Sequence, residues 1–256
     1  MLPAVSFLLK QFCRSMIYYQ HFYPEEVSPQ LLDAYLSKGW YRIHQMLITT
    51  DLIAKEDEFF AVFWLRYRLK DYQHSKKSEK LLRACEHFSC SIEPLQFTDE
   101  LEELFTKYRQ ELDFDMSDSA RAYLLGDRTE NVFNTQLLTL RYKGQLIAAG
   151  CYDEAETSLT GILSIYDPAF KKYSLGKVLL LLKLEEAIRL GKTWFYPGYI
   201  SLHTPKFDYK LFPDLEATEV YNRLLDEWTP YAGTNLQQMH DEMIAAFLKK
   251  QADTDK

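Results

Sequence analysis

A run of six residues, Lys171-Lys172-Tyr173-Ser174-Leu175-Gly176, stands between a strand ending in Tyr166-Asp167-Pro168 and a helix expected over 174–190. The first turn of a helix offers N–H groups without acceptors and the positive end of a dipole, so it can hold an anionic or acyl group. An ordinary β-loop-α-β crossover with a glycine in its turn accounts for the same spacing. After the helix come a short strand at 193–196 and a loop rich in Tyr and Lys. His203 in that loop could act as a general base, although a lone loop histidine is more often structural or incidental.

A second chemical feature is basic. Residues 70–83, with Arg66 and Arg68, form the densest cationic stretch of a chain whose formal charge is −7. Lys76, Lys80 and Arg83 fall three or four apart, on one face if the segment is helical. That face reads either as solvated or as a phosphate-contacting surface, with Tyr67 and Tyr72 as stacking residues. The negative balance excludes a general nucleic-acid coat but not one local basic face.

Covalent nucleophilic catalysis finds little support, since the chain has no G-x-S-x-G elbow, no H-E-x-x-H and no cysteine beside an obvious histidine motif. Cys13, Cys85, Cys90 and Cys151 form no C-x-x-C pair, which reads as reduced thiols rather than a disulfide framework or metal site. No apolar run reaches membrane-span length and the N-terminus lacks a signal-peptide pattern, so a cytoplasmic protein without a membrane partner is expected.

These groups need elements to position them. Ser28 as N-cap, Pro29 in the first turn and Gly39 as stop predict a helix over 28–39. Residues 40–49 and 59–69 read as a hairpin of two strands turning at 55–58. A helix within 70–83, a strand at 88–96 and a helix opened by Thr98 follow, with a short helix near 121–124. Strands are expected at 136–142, 145–152 and 158–166, the first two joined by a Lys143-Gly144 turn. The leucine-rich helix at 174–190 packs a wide apolar face on the sheet, its polar residues Lys183, Glu185, Glu186 and Arg189 lying towards its C-terminal half. An amphipathic helix at about 235–250 closes the chain. The division falls near Leu95, giving an N-terminal α+β domain with the basic segment (1–95) and a second domain (96–256).

Meander, loop, helix and strand in that order are the arrangement of GNAT-type acyltransferases. Their pyrophosphate loop, Q/R-x-x-G-x-G/A, is matched only in degraded form, with Ser174 replacing the first glycine. A more specific resemblance covers residues 39–230, which resemble the arginyl-tRNA–protein transferase family. It rests on Gly144-Gln145-Leu146-Ile147-Ala148, Tyr166-Asp167-Pro168, Ser174-Leu175-Gly176, Gly198-Tyr199-Ile200, Lys206-Phe207-Asp208-Tyr209-Lys210 and Trp228-Thr229-Pro230, in family order. Gly39-Trp40-Tyr41-Arg42, Arg66 and the segment bearing Ser75, Lys76, Lys80 and Arg83 align more loosely. Three departures stand out. The family's C-x-x-C is absent, with Ile48-Thr49-Thr50-Asp51 roughly in its place; His44 stands where Gly is usual; and Phe207 replaces a Met.

The resemblance implies an α+β protein with a GNAT-like acyltransferase domain, an antiparallel meander plus a β-α-β crossover, beside a smaller N-terminal domain. It implies transfer of arginine or leucine from aminoacyl-tRNA to the N-terminal amine of an acceptor protein beginning with an acidic residue, in an N-degron pathway and without a cofactor. Tyr166, Asp167, Lys206, Tyr209 and Lys210 would serve catalysis. Arg42, Arg66, Ser174, Leu175, Gly176, Gly198, Tyr199 and His203 would bind substrate, and Lys76, Lys80 and Arg83 would contact tRNA. Aminolysis of an ester needs positioning, an oxyanion donor and a proton acceptor but no covalent intermediate. A coenzyme A-dependent GNAT enzyme and a non-catalytic relative that binds tRNA or protein N-termini are the alternatives.

Overall fold

A computed structural model describes residues 16–55, 58–112, 116–202 and 205–254. The chain runs β1 (Met16–Phe22), α1 (Pro29–Leu36), β2 (Tyr41–Ile43), β3 (Met46–Lys55), β4 (Glu58–Ala61), β5 (Phe63–Arg68), α2 (Lys76–Cys85), β6 (Ser89–Pro94), α3 (Asp99–Gln110) and α4 (Ala120–Leu125). It continues through β7 (Thr135–Tyr142), β8 (Gln145–Glu154), β9 (Ser158–Tyr166), a 3₁₀ segment at Pro168–Tyr173, α5 (Leu175–Arg189) and β10 (Trp194–Ile200). A second 3₁₀ segment (Pro205–Leu211), β11 (Thr218–Asn222), β12 (Glu227–Pro230) and α6 (Leu236–Thr254) complete it. The architecture is mixed α+β. No helix among the described residues is long and apolar enough to cross a membrane.

Helix starts follow local chemistry. Ser28, Ser75, Thr98 and Ser119 each accept a backbone N–H three residues on, at Leu31, Ser78, Leu101 and Ala122, which satisfies one of the donors every helix start leaves open. The segment 40–49 is two strands rather than one. The chain reverses at His44-Gln45, where His44 takes φ 54°, so β2 folds back on β3. That left-handed conformation suits glycine, the residue the family pattern carries there. The segment 59–69 is also divided: β4 pairs with β3, as the hairpin reading expects, but β5 leaves Ala61 to join a different sheet.

Among the described residues two sheets result, one of four strands (β1-β3-β2, with β4 also on β3) and one of eight in the order β12-β11-β5-β10-β9-β8-β7-β6. The division near Leu95 therefore does not separate the sheets, because β5 and β6, both before Leu95, are hydrogen-bonded to β10 and β7, both after it. Helix α5 packs Val178, Leu179, Leu180 and Leu184 on one face of the large sheet, and α3 and α4 pack Leu101, Leu104, Phe105 and Leu124 into a separate core cluster. Tyr67 and Tyr72, expected to stack on nucleotides, are buried with Phe195 and Leu184 in the α5 core.

Candidate active site at a split in the sheet

Strands β9 and β10 run parallel, but they pair only over Ser158–Thr160 and Trp194–Tyr196. Beyond that point both carry an extra residue. On β9, Gly161 pairs with Tyr152 and Leu163 with Cys151, leaving Ile162 as a bulge. On β10, three steps from Phe195 to Gly198 match two steps on β5. Bulges bend a strand and re-aim its groups, and here the two strands part at the middle of the sheet.

Side chains from other elements take up carbonyls along the split, as buried peptide oxygens require. The Tyr41 hydroxyl donates to Gly161 O, Lys183 Nζ donates to Leu163 O at 2.7 Å and Ser164 Oγ at 3.1 Å, and Lys210 Nζ donates to Tyr199 O at 2.8 Å. Lys210 is buried. Its ammonium position lies 4.5 Å from the centre of the Phe207 ring and 5.3 Å from that of Tyr199. Among the described residues it forms no ion pair, and burial pulls its pKa down to about 7. An amine in that state is neutral in much of the population near neutrality and can take up a proton. Gly198 leaves room for it, since a Cβ there would stand 3.3 Å from Lys210 Nζ. Phe207, the departure from the usual Met, supplies the nearer ring.

The Tyr199 ring beside this amine belongs to a group of phenols within electrostatic range of one another. Burial first, and neighbouring phenols second, raise the pKa of Tyr41, which lies within electrostatic range of Tyr123 and Tyr209. The same causes raise Tyr108, next to Tyr166 and Tyr209, and Tyr123, next to Tyr108, each to about 12. Tyr199 rises through burial and Tyr123. All stay protonated donors at neutral pH and offer faces for stacking. Tyr209 and Lys206 are exposed on the second 3₁₀ segment.

The helix start expected to hold an anion lies at the far end of β9. Ser174 takes a left-handed conformation (φ 52°) and makes no side-chain cap, so the first-turn amides at Leu175 and Gly176 face no capping oxygen from it. A Cβ on Gly176 would be 3.6 Å from the Tyr166 ring, which itself meets Tyr108 edge-on at 5.1 Å. Asp167 opens the 3₁₀ segment that follows β9. Its Oδ1 accepts Ala169 N at 2.9 Å, and its Oδ2 lies 3.5 Å from Lys107 Nζ.

Two arginines are engaged elsewhere. Arg42 is 1% exposed, and all of its N–H-bearing atoms are taken: Nε by His44 O, Nη1 by Thr135 and Asp153, Nη2 by Leu124 O and Asn131. It is therefore a core cation rather than a substrate contact. Arg66 pairs with Glu219 at 2.6 Å between the rings of Trp194 and Trp228, 3.6 and 4.4 Å from their centres. Lys76, Lys80 and Arg83 are exposed on α2, whose Leu81 and Cys85 pack against Phe170, Tyr173 and the start of α5. Arg83 pairs with Glu79 at 3.0 Å. His203 lies outside the described residues. Sequence patterning did not place Lys183 in the site, although it carries a signal: one lysine inside Val178-Leu179-Leu180-Leu181-Leu182-Lys183-Leu184, 2% exposed although grouped with the polar residues of the helix's C-terminal half. A cavity of about 130 Å³ lies between α6 and β3, lined by Leu52, Leu224, Met243 and Phe247, and Phe207 packs in the same core cluster as Leu52, Met243 and Phe247.

Residues 100–218, the span that carries the split and both 3₁₀ segments, match the family described as "Arginine-tRNA-protein transferase, C terminus". It is 29% identical over 198 residues to the aspartate/glutamate leucyltransferase of Leptospira interrogans, covering 74% of each chain. It is 26% identical over 147 residues to that of Alcanivorax borkumensis, covering 57% of this chain and 61% of that one. The arginyl-tRNA–protein transferase 1 of Saccharomyces cerevisiae is 25% identical over 162 residues, 52% of this chain and 32% of that protein. Among solved structures, that of L-PGS from Bacillus licheniformis is similar over 66% of this chain and 49% of its own, with 16% identity and a TM-score of 0.41.

Proposed function

We propose that the chain moves an amino acid, leucine foremost, from the 3′ end of aminoacyl-tRNA to the α-amine of a protein that begins with Asp or Glu, marking that protein in an N-degron pathway. The family match supports the reaction type, and the names of the bacterial relatives favour leucine and the acidic acceptors. A GNAT-like arrangement for the domain is supported by the antiparallel run β7-β8-β9, the crossover through α5 and the parallel start of β10.

The observation that carries the mechanism is Lys210, a buried amine without an acidic partner among the described residues, beside the split in the sheet. The acceptor's α-amine attacks the ester carbonyl, and a C–N bond forms as the C–O bond to the ribose breaks. Lys210 Nζ takes the proton that the amine must lose and returns it to the leaving ribose oxygen. Positioning is the larger part of the work. Tyr199 and Gly198 shape the wall of the split, Tyr209 and Lys206 stand at its rim, and the terminal adenosine stacks among the phenols. The amides of Leu175 and Gly176, beside Tyr166 and Ser174, receive the acyl group or the terminal phosphate. Lys76, Lys80 and Arg83 lie along the path of the tRNA backbone, with Lys171 and Lys172 exposed on the adjoining 3₁₀ segment.

The test is transfer of labelled leucine or arginine from charged tRNA to peptides beginning with Asp, Glu or Ala. Transfer to the acidic peptides alone is expected. No transfer from either tRNA, together with a rise in melting temperature on adding acetyl-coenzyme A, would replace this reading with a coenzyme A enzyme.

A further inference from the structure

Lys183 is a buried cation that the scheme above leaves unused. Its Nζ reaches Leu163 O and Ser164 Oγ, it has no ion pair among the described residues, and it is 2% exposed. Burial lowers its pKa to about 8, against the opposing pull of Cys151 and Asp153 on β8. Two glycines make its berth. A Cβ at Gly150 would stand 2.7 Å from Lys183 Cε and 3.0 Å from Nζ, and one at Gly161 would be 4.0 Å from Cδ.

Its place explains that arrangement. Ile162 is the extra residue of the β9 bulge, and the carbonyls on either side of it, Gly161 O and Leu163 O, are held by Tyr41 from β2 and Lys183 from α5. The bulge is thereby fixed from two directions at the point where β9 and β10 part. A charge left in the core without an acid costs stability, and an apolar side chain of the same length would pack there more cheaply. We infer that Lys183 is a positioning residue for transfer, pinning the β9 bulge so that the strand edge beside the split keeps one geometry. The part of this inference that concerns transfer rests on the proposed function; the pinning of the bulge does not.

Two variants test it: Lys183→Met removes the charge and keeps the bulk, and Gly150→Ala keeps the charge and displaces it. Both are expected to lower kcat for transfer by about tenfold or more with KM for tRNA within about twofold, the signature of misplacement rather than weakened binding. Hydrogen exchange should quicken by about fivefold at residues 161–166 in Lys183→Met while β6 and β7 keep their protection. Unchanged exchange at 161–166 overturns the inference whatever the activity, and quickened exchange with unchanged kcat overturns the positioning role. Absence of transfer by the unaltered protein refutes the proposed function instead, and exchange then still judges the pinned bulge.

Discussion

Arg42 and Lys210 are both buried cations, and their surroundings differ in kind. Arg42 has a carboxylate, Asp153, at 2.7 Å, three carbonyl or amide oxygens, a hydroxyl, and the Phe133 ring 4.3 Å from its guanidinium carbon. Among the described residues, Lys210 has one carbonyl and two aromatic rings. A guanidinium cannot give up its proton, so a buried arginine has to be neutralised by partners. A buried amine has a second option, which is to lose the charge. The first environment ties β2 to α4 and to β7 and β8; the second leaves an amine near the split. Sequence alignment of Arg42 with a family motif could not distinguish these cases, because the partners of Arg42 on those elements lie 82 to 111 positions away.

The contrast breaks most visibly at Arg42. Arg42→Ala leaves Asp153 buried and unpaired, and urea denaturation is expected to register a loss of about 3–5 kcal/mol. Lys210→Met should act on rate instead, lowering kcat/KM for transfer by about 10²–10⁴ without a comparable fall in stability, as measured by single-turnover transfer beside the same urea titration. Lys210→Arg is expected to restore nothing, since a guanidinium does not accept a proton.

A smaller effect appears in stability against pH. With a folded-state pKa of about 7, Lys210 binds fewer protons in the native than in the unfolded chain between pH 7 and the ordinary lysine range. The cost of burying its charge is therefore greatest below pH 7 and fades as pH rises. Lys210→Met should exceed the parent in stability at pH 6, by on the order of 1–2 kcal/mol, and lose that advantage by pH 9. The smallest effect belongs to the exposed cations. Neutralising Lys76, Lys80 and Arg83 to Gln should raise KM for tRNA, leave kcat alone and shallow the salt dependence by roughly one unit of slope for each phosphate no longer neutralised.

How much of this was legible beforehand depended on whether the signal was local. The N-caps Ser28 and Thr98 and the turn at Lys143-Gly144 act over three or four residues, and those helix starts and that hairpin follow from the chain. The departure of β5 to the large sheet is not local: Val62 separates two strands of similar composition whose partners belong to different sheets. In the site, Lys210 was reached through a family motif rather than through its chemistry, because burial and the lack of an acid among the described residues are properties of the fold. Lys183 carried a readable sign, a charge inside a leucine run, but a place towards the C-terminal half of a helix also suits a solvated lysine. Gly150 and Gly161, which decide between the two, stand on strands whose pairing the sequence does not spell out.

The central claim is that Lys210 is the proton acceptor in ester aminolysis, and the pH profile of kcat/KM for transfer to an Asp-initiated peptide tests it directly. Below pH 7 two groups must be deprotonated, the acceptor's α-amine, whose ordinary pKa is about 7.7–8.0, and Lys210. The logarithm of kcat/KM should then rise with a slope near two and bend to about one above pH 7, while Lys210→Met keeps only the single slope of the amine. The same slope and bend in both proteins would contradict the assignment.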